Sequence, residues 1–317
     1  MSSKELTVSY SKFETNRLTF TELQENDRSK GQLIAYPRFD HPSLGDNQPL
    51  MLQMPWIKID AYGIPREGEY YKTAYERAFV KTPVRTEDEG SEVSAFAEKI
   101  KEIDELYGSD DMKKKLFGKK AKKYKYTPII RFPEIDEDDE NADKKPPYCK
   151  LKLDLSWPDN EVKTQIYNSV LDPDTDKRKR TKVECSTVDD VSENIRYLST
   201  VRFIIRPVKM WAQPAKKADP GYGIVWKIIK AEVQPSENGG NKLYKSYYNN
   251  NTFIDSDDDD DDEEVIKAAD KEEDVAVADD MSSDSSDDSD SDDEDDAPPV
   301  KKSKAKGKKK KTKGSSA

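Results

Sequence analysis

The sequence is short of the residues that staple folds covalently or through metals. Among 317 residues there are two cysteines, Cys149 and Cys185, and one histidine, His41. Two cysteines make no disulfide framework, and neither stands at metal-ligand spacing. The usual zinc chemistry is therefore set aside, and a reducing compartment is the natural setting. Apolar residues are also scarce, at 33% of the chain, with a mean hydropathy of -1.01. No apolar run at the start reaches signal-peptide length, and none is long enough to span a bilayer. The expectation is a soluble intracellular protein with no membrane partner. The glycines form no phosphate loop, dinucleotide fingerprint or serine elbow. The chain thus reads as a non-enzyme without cofactors or metals; a metal nuclease built from scattered carboxylates is the remaining enzymatic alternative. No period of 20–50 residues repeats, which argues against a solenoid or propeller.

Charge is abundant but unevenly placed. Residues 255–317 hold 24 acidic and 11 basic side chains, a net of -13 within a chain total of -11, so residues 1–254 carry +2. The 255–264 run is almost unbroken acid, and 282–296 interleaves serine with Asp and Glu. Such a segment repels itself and buries too little apolar surface to fold, so residues 249–300 read as a disordered acidic tail. Ser282, Ser283, Ser285, Ser286, Ser289 and Ser291 suit acid-directed kinases, whose phosphates would deepen the charge. Residues 301–317 read as a disordered lysine-rich tip, with nine lysines and no acid between Lys301 and Lys313. That tip can anchor to nucleic acid, fold back on the acid run or serve as a nuclear-import signal. The acid run can imitate a phosphate chain, or present itself to basic proteins.

Residues 1–248 are expected to form one mainly β domain with charged insertions near 108–127 and 134–147. Short strands are predicted at 7–13 and 18–23, as an opening hairpin, and again at 32–36 and 50–61. Val93, Phe96, Ala97, Ile100, Ile103 and Tyr107 recur every three or four residues and predict one amphipathic helix over 91–106. Leu151, Leu153, Leu155 and Trp157 alternate with polar residues, which predicts a strand with Trp157 on its buried face. Residues 160–171 fit a short strand or helix, and 172–182 a charged connection. The β-branched and aromatic stretches 195–208 and 222–233 predict a long hairpin. Several irregular strands with one helix suit an OB-like, partly closed barrel with insertions and a disordered C-terminal tail.

Cations interleaved with flat rings mark the candidate binding residues. Single-stranded DNA offers phosphates on one side and unstacked bases on the other, so a sequence-tolerant binder needs both residue types together. Arg196, Tyr197, Arg202, Arg206, Lys209 and Trp211 lie on one stretch. Arg202 and Arg206 share strand parity, opposite to Val201, Phe203 and Ile205, which suggests one cationic and one packed face. Lys216 and Lys217 follow in the loop, then Tyr222 and Lys227 on the returning strand. A second cluster is Lys119, Lys120, Lys122, Lys123 and Tyr124. Trp226 reads as core, and Trp56 fits either role.

The run from Val201 to Trp211 (VRFIIRPVKMW), followed by Tyr222 to Val233 (YGIVWKIIKAEV), resembles the single-stranded-DNA-binding proteins of nucleo-cytoplasmic large DNA viruses, of the algal and amoebal type. Those are similar in turn to the acidic-tailed OB-fold single-stranded-DNA-binding protein of T7-like phages. The resemblance covers about 149–233 and, more loosely, the region from residue 6. It implies an OB-like barrel that coats single-stranded DNA during replication or recombination and recruits replication proteins through its acidic tail. A location in the infected host's nucleus, a cytoplasmic replication site or the virion is also implied, and association into a homo-oligomer stays open to the chain. The lysine block after the acid run departs from a simple phage-type tail. The competing accounts are an acidic-tailed histone chaperone or chromatin-associated protein, and a virion DNA-packaging protein.

Overall fold

Residues 200–234 supply the longest stretch of alternating β-branched and aromatic side chains, and they build the spine of the molecule. The computed structural model describes residues 6–86, 90–133, 145–172, 175 and 177–234. In it Thr200–Ala212 and Gly221–Gln234 pair as a long antiparallel hairpin, as their composition predicts. The pairing slips between Ile204 and Ile205 and again between Pro207 and Lys209. Proline lacks the N–H that a regular ladder would use there.

Short strands cover both edges of this spine. Ile57–Lys58, Met51–Gln53 and Leu33–Ala35 line one edge, all antiparallel to it. Lys125–Thr127, Tyr148–Leu153 and Gln165–Leu171 line the other, all parallel to it. The fold is mainly β. Among the described residues the 13-stranded sheet stays open rather than closing into a barrel. A separate three-stranded sheet joins Leu18–Phe20, Pro37–His41 and Gly45–Gln48. The predicted opening hairpin is not formed. Thr7–Ser9 instead lies parallel to Met51–Gln53, and Leu18–Phe20 pairs with Pro37–His41.

One face of the spine is dry. Val201, Phe203, Ile205, Tyr222, Trp226 and Ile228 are all at most 2% exposed. Helix α1 (Glu92–Gly108) belongs to the same core through Phe96, Ala97, Ile100, Ile103 and Tyr107. Burial of each large apolar chain in that stripe contributes about 1.5–3 kcal/mol. Ser91 caps the helix, its hydroxyl accepting from the Ser94 N–H. The Tyr107 hydroxyl donates to the Leu18 carbonyl at 2.8 Å, and the Tyr222 hydroxyl to the Tyr107 carbonyl at 2.6 Å. Asp104 ties the helix to the neighbouring strand by accepting from the Ile129 and Ile130 N–H groups and the Tyr126 hydroxyl. Burial pushes its pKa up to about 6, against the opposing pull of those donors.

Two further helices depart from the expectation of one. The lysine-rich insertion, for which the sequence predicts no helix, contains α2 (Asp110–Phe117) and a 3-10 helix, Gly118–Lys123. Ser109 caps α2, Asp110 and Asp111 sit in its first turn, and Lys114 and Lys115 in its last. These charges complement the helix dipole. Met112, Leu116 and Phe117 pack on the core. Helix α3 (Val188–Asn194) opens on a capping box between Thr187 and Asp190. The stretch read as a charged connection over 172–182 gives way at residue 178 to the strand Arg178–Val183, which pairs antiparallel with Gln165–Leu171. The expectations for residues 134–144, for a final contact at 243–248 and for the tail and tip lie outside the described residues. Among the described residues no helix is long and apolar enough to cross a membrane.

Candidate nucleic-acid interface

The opposite face of the same sheet is cationic. Residues directly opposed on neighbouring strands project to the same side, so the register defines the rows of this face. Arg206 opposes Lys227, Lys227 opposes Lys152, and Lys152 opposes Phe79. Ile204 opposes Lys230, which opposes Gln165. Arg202 opposes Glu232, then Tyr167 and Lys182 continue the row. Period-two alternation places Arg178 and Arg180 on the same side as Lys182. Lys209 joins through its pairing with Val225. The face thus carries Arg178, Arg180, Lys182, Arg202, Arg206, Lys209, Lys227, Lys230 and Lys152, with Glu232 as the acid within its rows.

Rings lie among these cations. The guanidinium carbons of Arg178 and Arg202 each stand 4.6 Å from the centre of the Trp56 ring. The Lys230 ammonium is 6.0 Å from the Tyr167 ring. Glu232 organises the middle, accepting from Arg202 at 2.6 Å and Arg180 at 2.8 Å. Burial raises the Glu232 pKa, but the Arg202 bond and the other donors outweigh it and hold the group below the usual carboxylate range. The carboxylate is therefore ionised and fixes two guanidinium groups, of which that of Arg202 lies beside the indole.

The structure brings together some predicted residues and separates others. Arg202, Arg206, Lys209 and Lys227 share the cationic face. Lys216 and Lys217 are exposed in the turn of the hairpin, and Lys119, Lys120, Lys122 and Lys123 are exposed on the 3-10 helix. These six lysines gather at one end of the spine, because the Tyr124 hydroxyl donates to the Gln213 carbonyl and the Lys125 N–H to the Pro220 carbonyl. Arg196 and Tyr197 are exposed just before the other end, roughly 40 Å away at about 3.3 Å per residue of strand.

Three predicted binding rings are core instead. Tyr222 is fully buried. Tyr124 is 5% exposed, stacked on Phe117 with ring centres 3.7 Å apart. Trp211 is 8% exposed and lies across Gly221 and Gly223, whose missing side chains make room for its ring. The rings serve to dock α2 and the 3-10 helix on the hairpin. Trp157 errs in the opposite direction. Leu151 and Leu153 are buried as expected, but the strand ends at Leu153 and a turn leaves Trp157 47% exposed. Trp226 is core, as read.

Sequence reasoning missed Lys152, Arg178, Arg180, Lys182, Lys230 and Tyr167. Arg178, Arg180 and Lys182 did carry a signal, since their spacing by two puts all three on one side of an extended chain.

No protein-family model matches the chain. It is similar to the uncharacterized protein R505 of Acanthamoeba polyphaga mimivirus, with 27% identity over 241 residues. That match covers 66% of this chain and spans 57% of the length of the viral protein. The similarity points to a viral relative, and to nothing finer.

Proposed function

We propose that this protein binds single-stranded DNA without sequence preference and without catalysis, along the outer face of the spine sheet. One observation carries the reading: nine cations and the rings of Trp56 and Tyr167 occupy one side of a sheet whose other side is dry core. Cations along a track neutralise phosphates and release counterions, and rings set among them hold the guanidinium groups in place, so a strand can be drawn along the face while an unpaired base seats on a ring left open beside it. On this reading the open sheet derives from an OB-like barrel. The acid-rich segment after residue 254 competes for the cationic face and presents itself to replication proteins, and the protein works where a large DNA virus replicates its genome.

The test is a salt titration of the full chain against single-stranded and duplex oligonucleotides of equal length. Tighter single-strand binding, weakening log-linearly with salt, supports the reading. Equal affinity for both forms reduces it to a generic basic-patch binder, and absence of binding at low salt overturns it. Retention of histone-like proteins without DNA binding favours the chaperone account instead.

A further inference from the structure

At the end of the Arg206–Lys227–Lys152 row the sheet runs into a cleft of about 120 Å³. Its walls include Trp157, Arg28, Phe79, Lys152, Lys227 and Asn160. Trp157, 47% exposed, offers the most accessible indole among the described residues, and the Arg28 guanidinium stands 5.6 Å from its ring centre. The other tryptophans are already engaged: Trp211 and Trp226 in the core, Trp56 under two arginines.

We propose that this cleft is a nucleotide subsite that seats one unpaired base against Trp157, and that it, rather than the cationic face, discriminates single-stranded from duplex DNA. The inference rests on the DNA-binding reading above. Lys227 approaches Asp154 at 3.2 Å, and an ammonium has three donors, so it can serve that carboxylate and a phosphate together. Ser156 also lines the cleft; its hydroxyl oxygen accepts from the Glu161 N–H, and its O–H proton stays available for a base edge or phosphate. A guanidinium beside an indole is a surface on which a π-face can lie. Phosphates line both duplex and single strands, so the cationic rows alone do not tell the two apart. A base still paired within a helix cannot enter a cleft walled on several sides.

The experiment uses the full chain with an oligothymidylate, the same strand with abasic residues, and a duplex of equal length. Affinity, salt slope and tryptophan emission are read for the native protein, Trp157→Ala and Trp157→Phe. The native protein is expected to show quenched emission with oligothymidylate, but not with the abasic strand or duplex. Trp157→Ala weakens oligothymidylate binding roughly 5- to 150-fold, brings it level with duplex and leaves the salt slope unchanged. Trp157→Phe restores part of the preference. The abasic strand binds the native protein as weakly as oligothymidylate binds Trp157→Ala, and this arm needs no folded variant. If oligothymidylate binds tightly but the abasic strand binds equally well, or Trp157→Ala keeps the single-strand preference, the subsite is overturned while the DNA-binding reading stands. If the native protein binds no oligonucleotide at low salt, both fall together.

Discussion

Glu232 holds two arginines of the cationic face, so Glu232→Gln should move stability and DNA affinity in opposite directions. The amide keeps the shape and one acceptor oxygen but removes the charge that Arg202 and Arg180 share at 2.6 and 2.8 Å. The carboxylate is only 12% exposed, so losing its charge-assisted bonds costs about 1–3 kcal/mol of folding stability. For DNA the sign reverses. A negative charge about 7 Å from a bound phosphate repels it by about 0.6 kcal/mol at an effective dielectric of 80 and about 2.4 kcal/mol at 20. Removing it tightens binding roughly 3- to 60-fold at low salt. If the two arginines then gain one or two phosphates, the slope of log affinity against log salt steepens by about 0.7 to 1.4. Thermal unfolding reads the first quantity, and fluorescence anisotropy at four or five salt concentrations reads the second. A folded variant with unchanged affinity and slope would show that nucleic acid does not cross this part of the sheet.

Other consequences are as direct. Asp104 has a folded pKa of about 6 against about 3.8 unfolded, so its contribution to stability is present below 3.8 and lost as pH rises through 6. Wild type should gain up to roughly 3 kcal/mol over Asp104→Asn between pH 7 and pH 4, measured by urea unfolding; a flat difference contradicts the assignment. Gly223→Ala places a Cβ 3.1 Å from the Thr127 carbonyl oxygen and 3.4 Å from the Trp211 ring, and should cost about 1–3 kcal/mol in a melting experiment. Deleting residues 255–296, which carry 24 acids and two lysines, should tighten single-strand binding at low salt and leave it unchanged where salt screens the tail. An equal gain at both salt concentrations points away from electrostatic competition.

The spine hairpin was legible because 13- and 14-residue strands with one apolar face leave a long period-two trace. Helix α1 was equally plain from its stripe. The shared side of Arg202 and Arg206 followed from parity alone. Trp157 was misplaced because parity holds only while a strand continues, and this one stops at Leu153 before the turn. The strand Arg178–Val183 was hidden for a different reason. It has polar side chains on both faces at the sheet margin, so no hydrophobic alternation marks it. Its charges also blunt an exposed edge against unwanted pairing. Helix α2 has eight residues and is mostly charged; three apolar contacts to the core hold it, and such contacts are tertiary rather than local. Tyr124, Trp211 and Tyr222 illustrate the remaining ambiguity. A ring beside lysines in sequence can turn either way, and here all three turn inward.

The most direct measurement compares charge reversal on the two sides of the sheet. Arg206→Glu with Lys230→Glu alters the cationic face, while Lys101→Glu with Lys115→Glu alters exposed positions on α1 and α2. At fixed low salt, the first pair should weaken oligothymidylate binding by at least about 100-fold and flatten the salt slope by more than one, while the second changes affinity only a few-fold. Equal losses from both pairs would mean that DNA is held by net charge rather than by this face.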